Sequence, residues 1–291
     1  APAFAHTDPV QMDRVGWTDI RTPGLGRLRP GKKLVFEVPR VGEMFRETML
    51  RAVVQGEGCT AQRYRLFDRV ELVYERQCLQ RLEAEDLEVE ARLHHAREDI
   101  QLGLQPGANY IPLPLFFNRG ATGLRVDLCH KPLEVHVYVA KTCPGGHLDD
   151  LQLMTRHYYS NPACALPEPG PMPFTEAAVM RMPFDAQQAA TQGLEVLIPT
   201  LGLVTEVLYG YQLQTANPEQ PPFHGSSLWP DFFTRANLQL DGQDVYNEED
   251  PAYFAQQLSL HHSNPSTFAP AEYGRPALYC MNFARFPEAL D

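Results

Sequence analysis

Lysine, patterned cysteines, glycosylation sequons and long apolar runs are scarce or missing in this sequence. Four lysines stand against twenty-one arginines. No apolar stretch approaches the roughly 20 residues that a membrane-spanning helix needs. The N-terminal residues also lack the apolar core of a signal peptide. The one Asn-x-Ser motif, at Asn264, has Pro265 in its middle position and is not an acceptor site. We therefore expect neither a membrane-spanning nor a secreted chain.

The six cysteines contain no C-x-x-C pair, and a chain of 291 residues can build a core without disulfides. We predict that they are free thiols of a protein made in a reducing compartment, with no disulfide within the chain. They are Cys59, Cys78, Cys129, Cys143, Cys164 and Cys280.

The charge balance is acidic, with a formal net charge of −11. Direct binding of nucleic acid needs clustered Lys and Arg, so we do not expect it. The excess of arginine over lysine fits extensive protein–protein interfaces, where arginine is enriched and lysine is depleted. It also fits the codon usage of a GC-rich genome, and the two explanations are compatible.

Sequence motifs for catalysis or for a metal site are weak. There is no G-x-S-x-G, no P-loop, no dinucleotide-binding glycine pattern and no His-x-His. Adjacent histidines on a helix point in different directions, so His94-His95 is a poor metal pair, and His261-His262 carries no stronger signal. Two further histidines, His130 and His136, are separated by Pro132. We predict no catalytic residues, no cofactor and no metal site.

Two acidic clusters and one glycine-rich loop complete the candidates for a site. Asp149/Asp150, within Gly145–Asp150, and Glu248/Glu249/Asp250 have the composition of polar turns. Gly24–Lys33 is similar to a phosphate-binding loop only in its glycines and its basic end, and its spacing does not match one.

The first half of the chain is rich in strand patterns. We predict strands at Lys32–Arg40, Phe45–Gln55, Leu66–Gln77, Leu124–His130 and Leu133–Lys141. Alternation of apolar and polar residues, clearest in the last of these, indicates half-buried strands. A helix is predicted over Cys78–Ala96, where the apolar spacing is close to helical and Glu is frequent.

Five prolines between Tyr158 and Thr175 predict an extended linker. A second strand-rich block follows it. Its predicted strands are Ala178–Phe184, Leu194–Thr200, Leu203–Gln214, Arg235–Tyr246 with a hairpin turn at Asp241-Gly242, and Ala277–Phe286. We therefore predict an all-β protein with two sandwich or jelly-roll domains in tandem and a short helical insertion in the first. The expected boundaries are 1–157, a linker at 158–175, and 176–291.

Both halves of the sequence contain an ordered set of distinctive stretches. The first half has "KKLVFEVPRVGEMFRETML", then "IPLPLFFNRG" followed by "GLRVDLCHKPLEVHVYV". The second half has "ANLQLDGQDVYNEEDPAYFAQQLSLHHSNP" and "LYCMNFARFPE". This set resembles the major capsid proteins of nucleocytoplasmic large DNA viruses. The stretches of the first half resemble that family's first strand pair and part of its first jelly roll, and those of the second half resemble its second jelly roll. These matches cover most of residues 32–141 and 194–288 in the family's order. The family continues with further strands beyond the stretch that matches the end of this sequence.

The resemblance implies a structural protein and not an enzyme. It implies a double jelly roll, three copies of which form a homotrimer of pseudo-hexameric outline that tiles an icosahedral capsid. Its expected partners are neighbouring capsomers and minor capsid proteins, and the resemblance also allows an inner membrane beneath the shell. The expected location is the virion capsid, assembled in the host cytoplasm.

Two other kinds of protein fit the composition. One is a two-domain β-sandwich enzyme acting on glycans, which would need carboxylates grouped in a groove. The other is a carbohydrate-binding protein without catalytic activity.

The segment Ile111–Phe117 gives a sharp expectation for packing. Period-two geometry puts Leu113, Leu115 and Phe117 on the core face of a strand, with Phe116 on the other face against a neighbouring domain or loop. Pro112 and Pro114 lack an N–H, so we expect them at a sheet edge or beside a bulge.

Overall fold

The computed structural model describes the chain in segments. These are residues 3–6, 16–55, 66–84, 86–87, 107–118, 122–141, 147–160, 180, 182–183, 185, 191–198, 204, 206–209, 233–240, 242–251, 253–254 and 279–283. The predicted strands at Ala178–Phe184 and Leu203–Gln214 lie only partly within these segments. The histidine pairs His94-His95 and His261-His262 lie outside them.

Fourteen strands are present in the described segments, and all their pairings are antiparallel. In chain order they are β1 (Ala3–His6), β2 (Gly16–Pro23), β3 (Lys33–Glu37), β4 (Met44–Gln55), β5 (Phe67–Tyr74), β6 (Gln77–Glu83), β7 (Gly107–Pro112), β8 (Thr122–Arg125), β9 (Leu133–Val139), β10 (His147–Tyr159), β11 (Glu206–Tyr209), β12 (Ala236–Leu240), β13 (Gln243–Glu249) and β14 (Tyr279–Asn282). The all-β class predicted from the sequence is confirmed.

The strands from β2 to β10 form a jelly roll of two facing sheets. One sheet has the order β1-β8-β4-β10-β2, with β7 also paired to β4, and the other has the order β3-β9-β5-β6. Most connections cross between the sheets, but β5 and β6 form a hairpin within the smaller sheet, and β7 and β8 share one side of β4 in the larger one. This is the eight-position, two-sheet arrangement of a jelly roll.

Alternating side chains of both sheets fill the space between them. From β4 and β10, the inward residues Leu50, Ala52, Leu151 and Leu153 are buried. The facing sheet contributes inward residues of the same kind, which are Phe36, Val70, Leu72, Val135 and Val137. Each of these large apolar side chains stabilises the fold by about 1.5–3 kcal/mol relative to exposure. This shared core holds the two sheets face to face.

The predicted helix over Cys78–Ala96 is wrong for its first part. Residues up to Glu83 form β6, which pairs with β5 across the two-residue turn Glu75-Arg76. A helical turn starts only at Ala84, and the backbone N–H of Glu83 donates to the carboxylate of Asp86 at 2.8 Å, as in a helix cap. Leu79 and Leu82 have a spacing that fits a helix, but pairing with β5 decides the structure of this stretch. Most of the remaining predicted helix lies outside the described residues.

The proline-containing segment is buried as predicted but is a shorter strand than predicted. Leu113, Leu115 and Phe117 are 2%, 0% and 0% exposed, so their placement in the core is confirmed. The strand β7 ends at Pro112 on an edge of its sheet, so the expected edge position is confirmed for Pro112, whereas Pro114 lies beyond the end of the strand. Phe116 belongs to the same core cluster and does not lie on the opposite face as predicted, because a 3-10 turn at Phe116–Asn118 replaces the extended backbone.

Two long strands of the first jelly roll were not predicted, and other predicted strands are shorter or absent. The missed strands are β2 and β10. The predicted strand Leu124–His130 is extended only to Arg125, because the chain turns at Val126–Cys129. The predicted strand Leu194–Thr200 is wrong over residues 194–198, because these described residues are not in a strand.

The described part of the second block has its own aromatic core. Sheet β11-β14 and hairpin β12-β13 contribute to it, and the predicted hairpin between Leu240 and Gln243 is confirmed. Ring centroids of Tyr209, Phe233, Phe254 and Tyr279 lie 4.8–6.1 Å apart. Aromatic rings at these separations stabilise a core beyond the burial of their area.

Candidate assembly surface

The outer face of the larger sheet carries a set of interlocked polar and aromatic side chains. Because side chains alternate along a strand, the neighbours of the buried core residues on β4 and β10 point outwards. These outward residues include Arg51, Gln152, Met154 and Arg156, and all are half-buried. We call this outer face of β2, β10, β4 and β7 the assembly surface.

Arg156 lies at the centre of the polar contacts on this surface. Its Nε donates to Oδ1 of Asp19 at 2.7 Å, and its second nitrogen donates to Oδ2 at 3.1 Å. Its guanidinium also lies 4.1 Å from the centroid of the Trp17 ring, in cation–π geometry. The hydrogen bond to Asp19 raises the pKa of Arg156, against the opposing effect of burial. Arg156 is therefore permanently charged and fixed in orientation.

Trp17 is the most exposed aromatic side chain near this centre. It is 56% exposed, although one ring face lies against Arg156. Tyr110, on β7, is 44% exposed on the same side of the sheet. Trp, Tyr and Arg are the residues that most often carry the binding energy of protein interfaces.

A tyrosine joins β10 to β4 beside Arg156. The hydroxyl of Tyr158 donates to Glu47 at 2.6 Å. Burial and this hydrogen bond raise the pKa of Tyr158, so the hydroxyl keeps its proton. Glu47 lies at an irregularity of the strand pairing, where Thr155 and Arg156 face Thr48 and Arg46. Such a bulge turns a side chain towards a contact that the regular alternation would not permit.

The acidic clusters considered as catalytic groups have structural partners instead. The carboxylate of Asp150 lies 3.4 Å from Arg51, and that of Asp149 accepts from the side-chain amide of Gln55 at 2.9 Å. Asp150 and Asp149 belong to β10, so the predicted polar turn at Gly145–Asp150 is wrong from His147 onwards. In the second cluster, Asp250 accepts from the backbone N–H of Tyr253 at 2.8 Å.

The histidines in the described part of the first jelly roll do not converge on a metal site. The backbone N–H of His130 donates to the hydroxyl of Tyr74 at 3.1 Å, whereas the His136 ring lies 2.6 Å from Glu134. Within the described segments, no group of three His, Cys, Asp or Glu side chains is suited to hold a metal ion. Nor does any helix among those segments have the length and apolarity to cross a membrane.

The outer face of the smaller sheet has a second aromatic and ionic group. The guanidinium of Arg69 lies 3.8 Å from the centroid of the Tyr138 ring and 2.8 Å from Glu71. The hydroxyl of Tyr138 donates to the same carboxylate at 2.9 Å. Burial raises the pKa of Tyr138, as does the hydrogen bond to Glu71. These three residues therefore hold one another in place.

Three of the six cysteines lie in the described segments, and all three are thiols. Cys78 is exposed, and Cys129 and Cys280 are buried. Burial raises the pKa of Cys129, so this thiol is protonated and unreactive. Cys59, Cys143 and Cys164 lie outside the described segments.

Sequence reasoning did not find the assembly surface. Trp17, Asp19 and Arg156 lie on β2 and β10, neither of which was predicted. A usable signal was present in Leu151–His157, where Leu151, Leu153 and Thr155 alternate with polar or flexible residues.

The fold of this chain is similar to that of solved structures. No protein-family model matches the chain, and no curated protein matches it. Among solved structures, the chain is similar to a quasi-atomic model of the PBCV-1 virus capsid, with 13% identity and a TM-score of 0.59. That similarity covers 94% of this chain and 78% of the other.

A second solved structure gives the same result. It is the crystal structure of PBCV-1 VP54 fitted into a reconstruction of the virophage Sputnik, with 14% identity and a TM-score of 0.58. The similarity covers 95% of this chain and 80% of that one. The resemblance read from the sequence is therefore confirmed at the level of the fold, and this chain has the jelly-roll architecture of virus capsid proteins.

Proposed function

We propose that this chain is the major capsid protein of an icosahedral virus and acts by assembly, not by catalysis. The observation that carries the proposal is the fold similarity to the PBCV-1 capsid structure over 94% of the chain. The capsid proposal needs no cofactor and no active site. In it, Asp149 and Asp150 have structural roles, because they contact Gln55 and Arg51 on the neighbouring strand.

The proposed building block is a homotrimer. Two jelly rolls in each of three chains give six barrels and a pseudo-hexameric outline that tiles a shell. We assign residues up to Tyr159 to the first jelly roll, because β10 runs that far, which is two residues into the linker predicted at 158–175. The second jelly roll occupies 176–291. Symmetry lets one surface serve many identical contacts.

The assembly surface supplies the contact between copies in this proposal. Trp17 and Tyr110 provide exposed aromatic area, and Arg156 is already oriented by Asp19. Arginine held in this way loses little conformational entropy when a partner covers it. Such a contact would lie within the capsomer, with weaker polar contacts joining capsomers.

Further partners follow from the same proposal. They are neighbouring capsomers, minor capsid proteins and an inner membrane beneath the shell, and direct binding of nucleic acid is not expected. The protein would be located in the virion capsid after assembly in the host cytoplasm.

The experiment that tests the proposal is a mass measurement in solution followed by imaging. Light scattering on the purified chain should give three times the chain mass of 32.9 kDa. Electron microscopy of the same sample should show particles of hexagonal outline. A monomer over a wide range of salt and protein concentration would contradict the proposal.

A further inference from the structure

A buried histidine lies directly beneath the centre of the assembly surface. His157 is 0% exposed and precedes the end of β10 by two residues. Its neighbours along the strand, Arg156 and Tyr158, point to the opposite face and belong to the assembly surface. His157 is therefore a titratable group one residue away from the side chains that would contact another copy.

The contacts of His157 suit a neutral imidazole and not a charged one. Its Nε2 lies 2.9 Å from Oγ1 of Thr155, and its ring centroid lies 5.9 Å from that of Phe45. Its Nδ1 is buried, and the nearby backbone of Val41 does not reach hydrogen-bond geometry with it. In the charged ring both nitrogens carry a proton, so the N–H at Nδ1 would be buried without an acceptor.

No charged side chain of the described segments balances a proton on this ring. Directly opposite His157 lie Thr18 on β2 and Phe45 on β4, and neither carries a charge. Phe117, from the 3-10 turn, packs on Phe45 with their ring centroids 4.8 Å apart. The titratable and charged groups of the surrounding elements lie on the outer face or are exposed, and none contacts His157; they are Asp19, Arg21, Arg40, Glu43, Arg46, Glu47, Arg156 and Tyr158.

The enclosure of this ring makes its proton uptake depend on whether water can reach it. Burial lowers the pKa of His157 from its ordinary value of 6.5. A ring that reaches water takes up a proton near about pH 6.5, whereas the enclosed ring does not. The enclosed form is therefore favoured above about pH 6.5, and the open form gains on it as the pH falls. Between about pH 7.5 and about pH 5.5 the ratio of open to enclosed form should rise by at most about tenfold.

The end of β10 is the place where water can reach the ring with the least loss of structure. Tyr158 pairs there with Trp17, and Tyr159 pairs with Gly16. In the described sheet β2 is the last strand and pairs with β10 alone, so it can separate while β4 stays paired to β10. Separation removes Thr18 from its position opposite the ring. A local opening of this kind costs less free energy than unfolding of the whole barrel.

Separation of β2 also dismantles the centre of the assembly surface. Trp17 and Asp19 both lie on β2, and both contact Arg156 of β10. A copy whose β2 has separated does not hold the exposed ring and the oriented guanidinium together. Water access to the buried histidine and loss of the contact surface are therefore the same structural event.

We propose that His157 is a pH-sensitive switch for the assembly surface, in which uptake of a proton by its ring releases β2 from β10. Acidification then weakens the contact between copies while the rest of the jelly roll stays folded. The effect on association rests on the proposed function, whereas the release of the strand does not.

The test is native-state hydrogen exchange of the full chain at about pH 7.5 and about pH 5.5, measured by mass spectrometry. H157Q is the reference at each pH, because the intrinsic effect of pH on exchange is the same in both chains. Over Gly16–Pro23, the exchange rate of the unmodified chain relative to that of H157Q should rise by about threefold to tenfold on acidification. A constant ratio would overturn the proposal.

Low urea separates local opening from unfolding of the whole barrel. Release of β2 exposes little surface, so exchange over Gly16–Pro23 should not change in about 1 M urea, whereas exchange over Leu133–Val139 should accelerate. Equal acceleration of both segments would show that acid acts through global unfolding, and the switch would be wrong. H136Q is the matched control, because His136 lies on the smaller sheet. It should behave as the unmodified chain does, and a loss of pH dependence equal to that in H157Q would overturn the assignment to His157.

A disulfide clamp tests the same route with His157 retained. Gly16 and Tyr159 are direct partners across the two strands, a spacing that a disulfide can bridge. In sedimentation equilibrium, the unmodified chain should associate at least about threefold more weakly at about pH 5.5 than at about pH 7.5. In oxidised G16C/Y159C this weakening should disappear, and reduction should restore it. An acid effect that persists in the oxidised clamp would exclude release of β2 as its cause.

Failure of the switch is distinguishable from failure of the capsid proposal. A trimer whose exchange over Gly16–Pro23 has the same pH dependence as that of H157Q contradicts only the switch. A monomer at both pH values that shows the acid-dependent exchange contradicts the capsid proposal and leaves the release of β2 in place.

Discussion

The backbone N–H of Phe116 donates a hydrogen bond to Oε1 of Gln80 at 3.0 Å, and both residues are buried. Gln80 lies on β6 of the smaller sheet, whereas Phe116 follows β7 of the larger one. The side-chain Nε2 of Gln80 donates to the carbonyl of Pro114 at 3.5 Å. One side chain thus crosses the core and satisfies the backbone where two prolines have removed the ladder donors.

Replacing Gln80 with Ala should destabilise the first jelly roll by about 0.5–1.5 kcal/mol, because it removes the buried hydrogen bond between the backbone of Phe116 and the Gln80 side chain. Urea unfolding measures the change. Gln77→Ala, an exposed glutamine on the same strand, is the control and should change stability by less than about 0.5 kcal/mol. Equal effects of the two substitutions would show that the buried hydrogen bond contributes nothing.

Replacing Leu115 with Ala should destabilise the fold by about 2–5 kcal/mol, because Leu115 is 0% exposed and its loss leaves a cavity. The yield of trimer should fall with it, since the barrel must fold before it assembles. Leu128→Ala makes the same chemical change at a side chain that is 39% exposed, and should be nearly neutral. If L115A is as stable as L128A, the packing of this segment is misassigned.

Much of the fold could be predicted from the sequence because half-buried strands show their period. In Leu133–Val139 the four apolar residues are all inward and buried, as the alternation indicates. The hairpin at residues 241–242 was found in the same way, from turn residues between alternating strands. Burial of the proline segment is also predictable, because its large apolar side chains are unfavourable in water.

The parts of the fold and of the surface that the sequence does not predict depend on irregular strand geometry and on long-range contacts. In β10 the pairing shifts between Leu148 and Asp150, so Asp149 interrupts the alternation, and an acidic pair was read as a turn. In β6, Leu79 and Leu82 fit a helix equally well, and only pairing with β5 decides between the two. The link from Arg156 to Asp19 spans 137 positions, and no local pattern predicts such a contact.

The turn between β5 and β6 offers a stabilising substitution. Glu75 and Arg76 have φ values of 50° and 67°, in the left-handed region that side-chain-bearing residues disfavour. Arg76→Gly should raise the free energy of unfolding by about 1 kcal/mol, because glycine adopts this φ freely. Arg76→Ala removes the same charge without relieving the backbone and should give no gain. Thermal unfolding of both variants checks this, and a gain in R76A alone would contradict the explanation.

Stability of the first jelly roll should fall as the pH drops below about 6.5, the pKa of histidine in an unfolded chain. His157 is fully buried against Phe45, and its Nε2 lies 2.9 Å from the hydroxyl of Thr155. Burial lowers the pKa of His157, and a backbone contact at Val41 only partly opposes this. The unfolded chain therefore takes up a proton at a pH where the folded chain does not, and stability is lost on acidification.

Urea unfolding at about pH 7.5 and about pH 5.5 measures this dependence. His157→Gln removes the titrating group, so the loss between the two pH values should be smaller in the variant. Carboxylates contribute equally to both proteins and cancel in the comparison. An unchanged pH dependence in H157Q would exclude His157 as its source.

Replacing Trp17 with Ala should weaken the association of chains without unfolding them. Trp17 is 56% exposed in the single chain, so its truncation removes little buried area and should change the free energy of unfolding by less than about 0.5 kcal/mol. A buried aromatic at the centre of an interface commonly contributes about 2 kcal/mol or more to binding, which is roughly a thirtyfold change in the dissociation constant. Arg156 would also lose the ring against which its guanidinium is stacked.

Sedimentation equilibrium of W17A and the unmodified chain measures the change in association. Leu128→Ala serves as the control, because it truncates another exposed apolar side chain that lies outside the assembly surface. We expect W17A to dissociate at protein concentrations where L128A and the unmodified chain are still trimers. Because all three proteins should unfold at the same urea concentration, a difference in association alone assigns Trp17 to the contact between copies. Trimers of equal strength in W17A and L128A would instead place that contact on another face of the jelly roll.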